Sequence, residues 1–291
     1  MSNTDQSSAG FKWPPAPTQT SRAHDAPPRL GPAEHPPTSD RAGERPTWWE
    51  RVESAWLDPV ALPLRSRVRE SAWHADGFAA FCDRCGASVG PHETDEFGCA
   101  ACRNSRPPWR RIIRLGPYNE PLNEWIREVK FDRARVLGLE LGRLLGARLL
   151  DARCLADHER ARAIVVPVPA SRIRVWERGI DHTLCIAQGV ARELRLHVVR
   201  ALRRTHGPSQ LAVGVSERAA NVAGRIWLAR LRAVHGRVII VVDDVVTTGA
   251  TMRASCRALG AKREQARPQA IIAATLAVTP AHGSDAGPTP E

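Results

Sequence analysis

An α/β fold, with a mostly parallel sheet flanked by helices, is what this 291-residue sequence predicts, preceded by a small cysteine-bearing module and a proline-rich tail. Three observations carry the prediction. Two runs of β-forming residues, Ala163–Pro169 and Val238–Val242, are apolar at consecutive positions, as in strands covered on both faces. Stretches with helical periodicity lie before and between them. Two Cys-x-x-Cys pairs stand upstream of the whole pattern.

Composition bounds the reading. The formal net charge is +11, almost all of it from arginine, since lysine occurs only at Lys12, Lys130 and Lys262. That charge suits either a nucleic acid or a small polyanion. No apolar run is long enough for a membrane helix, so membrane insertion is not expected. The polar start, MSNTDQSSAG, lacks the apolar core of a secretory leader, so a cytoplasmic location is expected. Seven cysteines, an odd number with four in close pairs, fit a reduced compartment and a metal site better than a disulfide framework.

Taken in order, residues 1–47 form a tail in which proline recurs among Ser, Thr, Gly and balanced charge. Such a composition buries too little apolar surface to offset chain entropy, and disorder is expected. Residues 48–77 read as a short helical linker: Trp49, Val52 and Trp56 have amphipathic spacing, interrupted by Pro59 and Pro63. Its tryptophans are expected to pack against the next domain.

The module at 78–110 is organised by Cys82, Cys85, Cys99 and Cys102, with thirteen residues between the two pairs. Two thiolate knuckles at this separation suit a zinc ribbon in which four cysteines surround the metal tetrahedrally. A fully thiolate site is closed, hence structural. Gly86 and Gly98 stand where tight turns belong. Arg103, Arg106, Arg110, Arg111 and Arg114 follow as a basic stretch, read equally as a solvated face or a nucleic-acid contact, leading into an edge strand at Ile112–Leu115.

Residues 111–279 hold the α/β pattern. Tyr118–Leu150 predicts two helices joined near Phe131–Arg133. After the strand at 163–169 comes a basic loop with Arg172, Arg174 and Arg178, suited to a pyrophosphate group. A helix is predicted over about Thr183–Leu194 and a short strand over Val198–Leu202. The polar stretch 203–222 is long enough for a mobile flap. The final strand is placed at 271–278, with a frayed end over 280–291.

The most informative stretch is Val238–Met252, VIIVVDDVVTTGATM. An apolar strand runs into two adjacent carboxylates, Asp243 and Asp244. Thr247, Thr248, Gly249, Ala250 and Thr251 come next, and a helix runs from Met252 to Leu259. Open α/β sheets bind ligands at such a strand–loop–helix junction. The first helical turn presents unpaired N–H groups and a positive dipole end to a phosphate, small residues allow close approach, and the threonines offer hydroxyl donors. The aspartates would repel a phosphate. They suit the two hydroxyls of a ribose, or a hydrated Mg2+ beside it. A 5′-phosphorylated ribose satisfies both halves.

Ile239–Thr251 resembles, without departure, the 5-phosphoribosyl-1-pyrophosphate (PRPP) motif of type I phosphoribosyltransferases. The wider order of motifs resembles the ComF-type (competence protein ComF, GntX-like) family. That order is a four-cysteine ribbon, a Tyr118…Lys130-Phe131 helix, Val166–Pro169 with Arg178-Gly179, then Arg204/Thr205…Gln210…Arg218…Asn221, then the PRPP motif. The resemblance covers about residues 78–278. One departure stands out: where the family has Asn-Gln after the Arg-Gly, this chain has Asp181-His182, placing negative charge near the expected pyrophosphate side.

The resemblance implies a type I phosphoribosyltransferase fold binding PRPP or a phosphoribosyl ligand with Mg2+, and a role in competence, DNA uptake and transformation. Asp243 and Asp244 would hold the ribose at the reacting centre, Thr247–Thr251 the 5′-phosphate, and Arg172 or Arg178 the pyrophosphate. If an enzyme, the chain is a glycosyltransferase that displaces pyrophosphate from ribose C1. An alternative is a non-catalytic PRPP-sensing adaptor contacting single-stranded DNA, a competence helicase or another DNA-processing protein. A nucleobase-salvage phosphoribosyltransferase is a third reading, for which a four-cysteine module is superfluous.

Overall fold

The computed structural model describes residues 63–103, 106–205, 226–260 and 267–280. The expected tail, the Trp49–Trp56 helix, most of the 203–222 stretch and residues 281–291 lie outside the described residues.

The centre is a five-stranded parallel sheet of β3 (Ile112–Pro117), β4 (Ala163–Pro167), β5 (His197–Val198), β8 (Val238–Val246) and β9 (Ala270–Val278), in the order β3-β9-β8-β4-β5. Helices α2 (Leu122–Phe131), α3 (Arg135–Asp151) and α6 (His182–Leu194) cover one face. A single turn, α4 (Asp157–Arg160), leads into β4. Helix α7 (Ala250–Leu259) covers the other face, with the antiparallel pair β6 (Leu202–Arg204) and β7 (Ile226–Leu228). Both faces being covered explains the unbroken apolar strands. This is the expected α/β architecture, a parallel sheet between helical layers.

Alternation along β8 settles what each of its residues meets. Val238, Ile240 and Val242 belong to the core under α2, α3 and α6, while Ile239 and Val241 belong to the core under α7. The same alternation sends Asp244 toward the three-helix face and Asp243 toward α7. From β4 the chain winds outward to β5, whereas from β8 it winds the other way to β9. The crevice beyond the carboxyl ends of β4 and β8 is therefore a topological switch point.

Helices α3 and α6 meet backbone to backbone. A Cβ on Gly142 would stand 2.1 Å from the Ile186 carbonyl oxygen, and one on Gly189 would stand 2.1 Å from that of Leu139. Only glycine admits this approach, and it sets the depth at which α6 lies on the sheet.

Upstream, helix α1 (Leu64–Ser71) starts directly after Pro63, and Arg67 forks onto Glu128 of α2 at 2.7 and 2.8 Å. Trp73 packs edge-on against Trp125, as expected of the linker aromatics. The cysteine module carries a short hairpin, β1 (Thr94–Asp95) with β2 (Gly98–Cys99). Gly86 and Gly98 have φ of +81° and +92°, so both supply the left-handed turns expected of them. The module is sewn to the sheet: Ile112 N donates to Asp83 O at 2.7 Å, and Trp109 Nε1 to Arg84 O at 2.8 Å.

Four expectations need correction. The central strand does not stop at Val242 but continues to Val246, because β9 keeps pairing with it through Asp243↔Thr275 and Val246↔Val278. The basic loop after Pro169 contains a helix, α5 (Arg172–Arg178), ended by Gly179 at φ +69°. The single strand at 198–202 is two pieces, β5 and β6, in different sheets. The basic stretch 103–114 is not one exposed face: Arg103, Arg110, Arg111 and Arg114 pair with Asp95, Glu159, Asp83 and Asp76. The edge position of the Ile112 strand is as expected. Among the described residues no helix is long and apolar enough to cross a membrane.

Candidate functional site

At the switch point β8 delivers Asp243 and Asp244, both buried, to a cavity of about 190 Å³. Its other walls include Val168, Pro169 and Ser171 after β4, Arg178 at the end of α5, and Thr251 in the first turn of α7. Arg204, at the base of the β6–β7 pair, closes one side.

Asp244 is held by two helices distant in sequence. Its Oδ2 lies 2.9 Å from Lys130 Nζ, in the last turn of α2, and 3.0 Å from His182 Nε2, at the start of α6. Its Oδ1 accepts the Val245 N–H at 2.6 Å. Burial alone would raise this carboxyl. The His182 hydrogen bond and the Lys130 ammonium outweigh it and hold Asp244 well below the usual carboxylate range. At Asp243 the pull of Lys130 is outweighed. Its Oδ1 accepts the Asp244 N–H at 3.0 Å, and burial, then the neighbouring Asp244 charge, push it well above that range. One carboxylate is thus strongly ionised and its neighbour resists ionisation.

The loop after β8 turns sharply into α7. Gly249 is in the left-handed region at φ +72° and caps α7, with the Ala250 N–H within 3.4 Å of Thr248 Oγ1. Thr247 and Thr248 are exposed, while Gly249 is buried against the Arg253 guanidinium, 3.2 Å from where its Cβ would be. Arg253 also donates to the Thr248 carbonyl. The first-turn N–H groups of α7 therefore emerge beside hydroxyls and a cation, the combination that suits a phosphate.

Of the residues expected from sequence, Asp243, Asp244, Thr251 and Arg178 line one cavity. Thr247, Thr248, Gly249 and Ala250 form the adjoining loop, and Arg172 opens the helix that Arg178 ends. Sequence reasoning does not single out Lys130, His182 or Arg253 as site residues. A signal for His182 exists, since it occupies a position at which the chain departs from the family pattern. The Asp181 charge does not enter the cavity. It caps α6 by accepting the Leu184 N–H at 3.1 Å and pairs with Arg200 at 3.3 Å.

The carboxylates do not suit direct coordination of Mg2+. Asp244 has both oxygens engaged, one of them by an ammonium, and Asp243 resists ionisation. The cysteines suit zinc well. All four sulfurs lie within 4.8 Å of one another, with Cys82–Cys102, Cys85–Cys99 and Cys99–Cys102 at 3.8, 3.6 and 3.9 Å. Thiolates about 2.3 Å from a tetrahedral zinc stand about 3.8 Å apart.

A larger cavity, about 880 Å³, lies at the opposite, amino-terminal ends of the strands. There Arg110 forks onto Glu159 at 2.8 and 3.1 Å, and that fork, with the Ala156 N–H, brings the Glu159 carboxyl down to about 2. Arg110, Arg111 and Arg160 in its lining are spent on neighbouring carboxylates and carbonyls.

Residues 182–288 match the family described as Phosphoribosyl transferase domain. The chain is 31% identical over 175 residues to the DNA utilization protein YhgH of Escherichia coli (strain K12), covering 59% of this chain and 74% of that protein. It is 28% identical over 177 residues to Competence protein F of Haemophilus influenzae, covering 59% and 75%. Among solved structures, the glutamine PRPP amidotransferase from B. subtilis, complexed with ADP and GMP, overlaps 47% of this chain and 25% of its own, at 15% identity and a TM-score of 0.31.

Proposed function

The chain belongs to the ComF family of competence and DNA-utilisation proteins, with a phosphoribosyltransferase domain, and from that premise we propose that it binds PRPP or a related phosphoribosyl ligand in the cavity at the switch point. The observation that carries the proposal is the convergence of Asp243, Asp244, Thr251 and Arg178 on one cavity beyond the carboxyl ends of β4 and β8. The loop Thr247–Thr251 and the α7 dipole would take the 5′-phosphate, with Arg253 adding charge. Asp244 would accept from a ribose hydroxyl, with Asp243 beside it. Arg178, with Arg172 on the same short helix, would face the pyrophosphate. The ligand would bring Mg2+ on its own phosphate oxygens.

As an enzyme the protein would break the C1–oxygen bond to pyrophosphate while an acceptor atom bonds to C1. The contribution of these residues is orientation and electrostatic stabilisation of a cation-like centre, with no protein nucleophile. Zinc in the four-cysteine site would hold the ribbon in shape.

A non-catalytic adaptor is the second reading, and exposed aromatics beside arginines favour it. Phe97 is 59% exposed in a cleft with Arg84, Arg103 and Arg106, and Trp176 is 85% exposed on α5. Such surfaces suit stacking on single-stranded DNA. Calorimetric titration of Mg2+–PRPP into the wild type and Asp243→Asn/Asp244→Asn separates the readings. Binding that the double variant loses, followed by acceptor-dependent pyrophosphate release, supports the enzyme. Binding without release supports a sensing adaptor, and no binding by folded, zinc-loaded protein refutes the phosphoribosyl site.

A further inference from the structure

The Lys130 ammonium stands 2.9 Å from Asp244 Oδ2, with its side chain 18% exposed, and His182 Nε2 approaches the same oxygen at 3.0 Å. The other Asp244 oxygen is taken by the Val245 N–H. Before any ligand arrives, Asp244 thus already carries an ion pair on one oxygen and a backbone hydrogen bond on the other. We infer that Lys130 is the resident cation of the carboxylate pair: it occupies the coordination position at Asp244 that a divalent ion would otherwise take, and it keeps the pair closed to free metal.

The physical case rests on position and charge. Mg2+ and Mn2+ need carboxylate oxygens at close to about 2 Å. An ion on Asp244 Oδ2 would displace the ammonium or sit against it, and like charges at that range in a buried site repel strongly. Asp243 offers no way around, since its own carboxylate is buried beside Asp244 and lies in the field of the same Lys130 ammonium. The Lys130 position is built, not incidental. Leu122, Trp125, Ile126 and Val129 of α2 are buried in the core, which fixes the helix end from which the ammonium reaches the strand. His182 is set by the α3–α6 approach and by the Asp181 cap in the same way.

Lys130 is accordingly a positioning residue. It holds Asp244 ionised and aimed, and it lets metal enter only when carried by a polyphosphate ligand. The identity of that ligand rests on the phosphoribosyl reading above; the exclusion of free metal does not.

The test is Mn2+ titration followed by electron paramagnetic resonance, using full-length, zinc-loaded protein without ligand. The wild type should titrate like Asp244→Asn, showing no site that depends on Asp244. Lys130→Gln should gain an Asp244-dependent site, with Mn2+ affinity raised on the order of tenfold or more. Lys130→Arg, which keeps the charge, should gain none. Lys130→Met replaces the glutamine variant if that one does not melt cooperatively. An Asp244-dependent Mn2+ site in the wild type overturns the inference, and so does a folded, neutral Lys130 variant that gains no site. Failure of the wild type to bind Mg2+–PRPP would sink the phosphoribosyl reading and leave this comparison intact, so the two failures are distinguishable.

Discussion

Arg114, only 1% exposed in the middle of an edge strand, donates to the Asp76 carboxylate at 2.6 Å. The same guanidinium donates to Gly86 O at 2.7 Å and Ser88 Oγ at 2.8 Å, and lies 5.2 Å from the centroid of the Phe81 ring. One buried side chain thereby ties the linker and the cysteine module to the sheet. Burial lowers its pKa from the ordinary arginine value, and the Asp76 carboxylate opposes that shift. Arg114→Met should leave Asp76 uncompensated and cost about 3–5 kcal/mol in a urea unfolding titration. A loss below about 1 kcal/mol would show that the staple contributes little.

Metal removal should act on the same part of the molecule. Zinc-loaded protein is expected to carry about one zinc per chain by elemental analysis, and Cys99→Ser should carry far less. Cys99 is buried with its sulfur between those of Cys85 and Cys102, so its loss opens the site. Cys256→Ser, at a buried position in a core cluster separate from that of the ribbon cysteines, should keep its zinc. Equal zinc in both variants would refute the assignment of the four cysteines.

Asp243 makes stability depend on pH with a definite sign. Its folded pKa lies above the unfolded value of about 3.9, so the folded state binds the extra proton. The stability it contributes is fully present below about pH 4 and is lost as pH rises through the folded pKa. Asp243→Asn should therefore melt higher than the wild type at neutral pH, and the difference should shrink toward about pH 4 while ligand binding is lost. A constant difference between the two across that range would mean the carboxyl is not perturbed as described.

The glycine approach of α3 to α6 predicts a change that travels. Gly189→Ala places a methyl group against the Leu139 carbonyl and must push α6 outward, costing about 1–3 kcal/mol in thermal or denaturant unfolding. Because His182 begins α6, Mg2+–PRPP affinity should fall as well. Gly77→Ala, where a Cβ meets nothing within 4 Å, is the neutral control.

Much of the candidate site is legible in the sequence because its signals are local. Apolar runs, a pair of acids and a Thr-Thr-Gly-Ala-Thr loop are contiguous, and a strand–loop–helix places them without reference to the rest of the chain. The cysteines are legible for the same reason, since their spacing is itself the geometric requirement of the metal. Helix α5 escapes because a short run with Arg172, Arg174 and Arg178 shows too little periodicity to distinguish it from a basic loop. Arg114 reads as surface because its type argues for exposure, and only its partners justify its burial.

The amino-acid sequence alone determined the α/β class, the phosphoribosyl motif, the four-cysteine spacing and the family, all of which are written in neighbouring residues. Tertiary structure decided which side chains serve Asp244 and which arginines are withdrawn from the surface. Lys130 and His182 lie on different helices, and nothing in either local pattern points to the other. Sheet order and helix packing bring them to one oxygen atom, at distances that only the folded chain specifies.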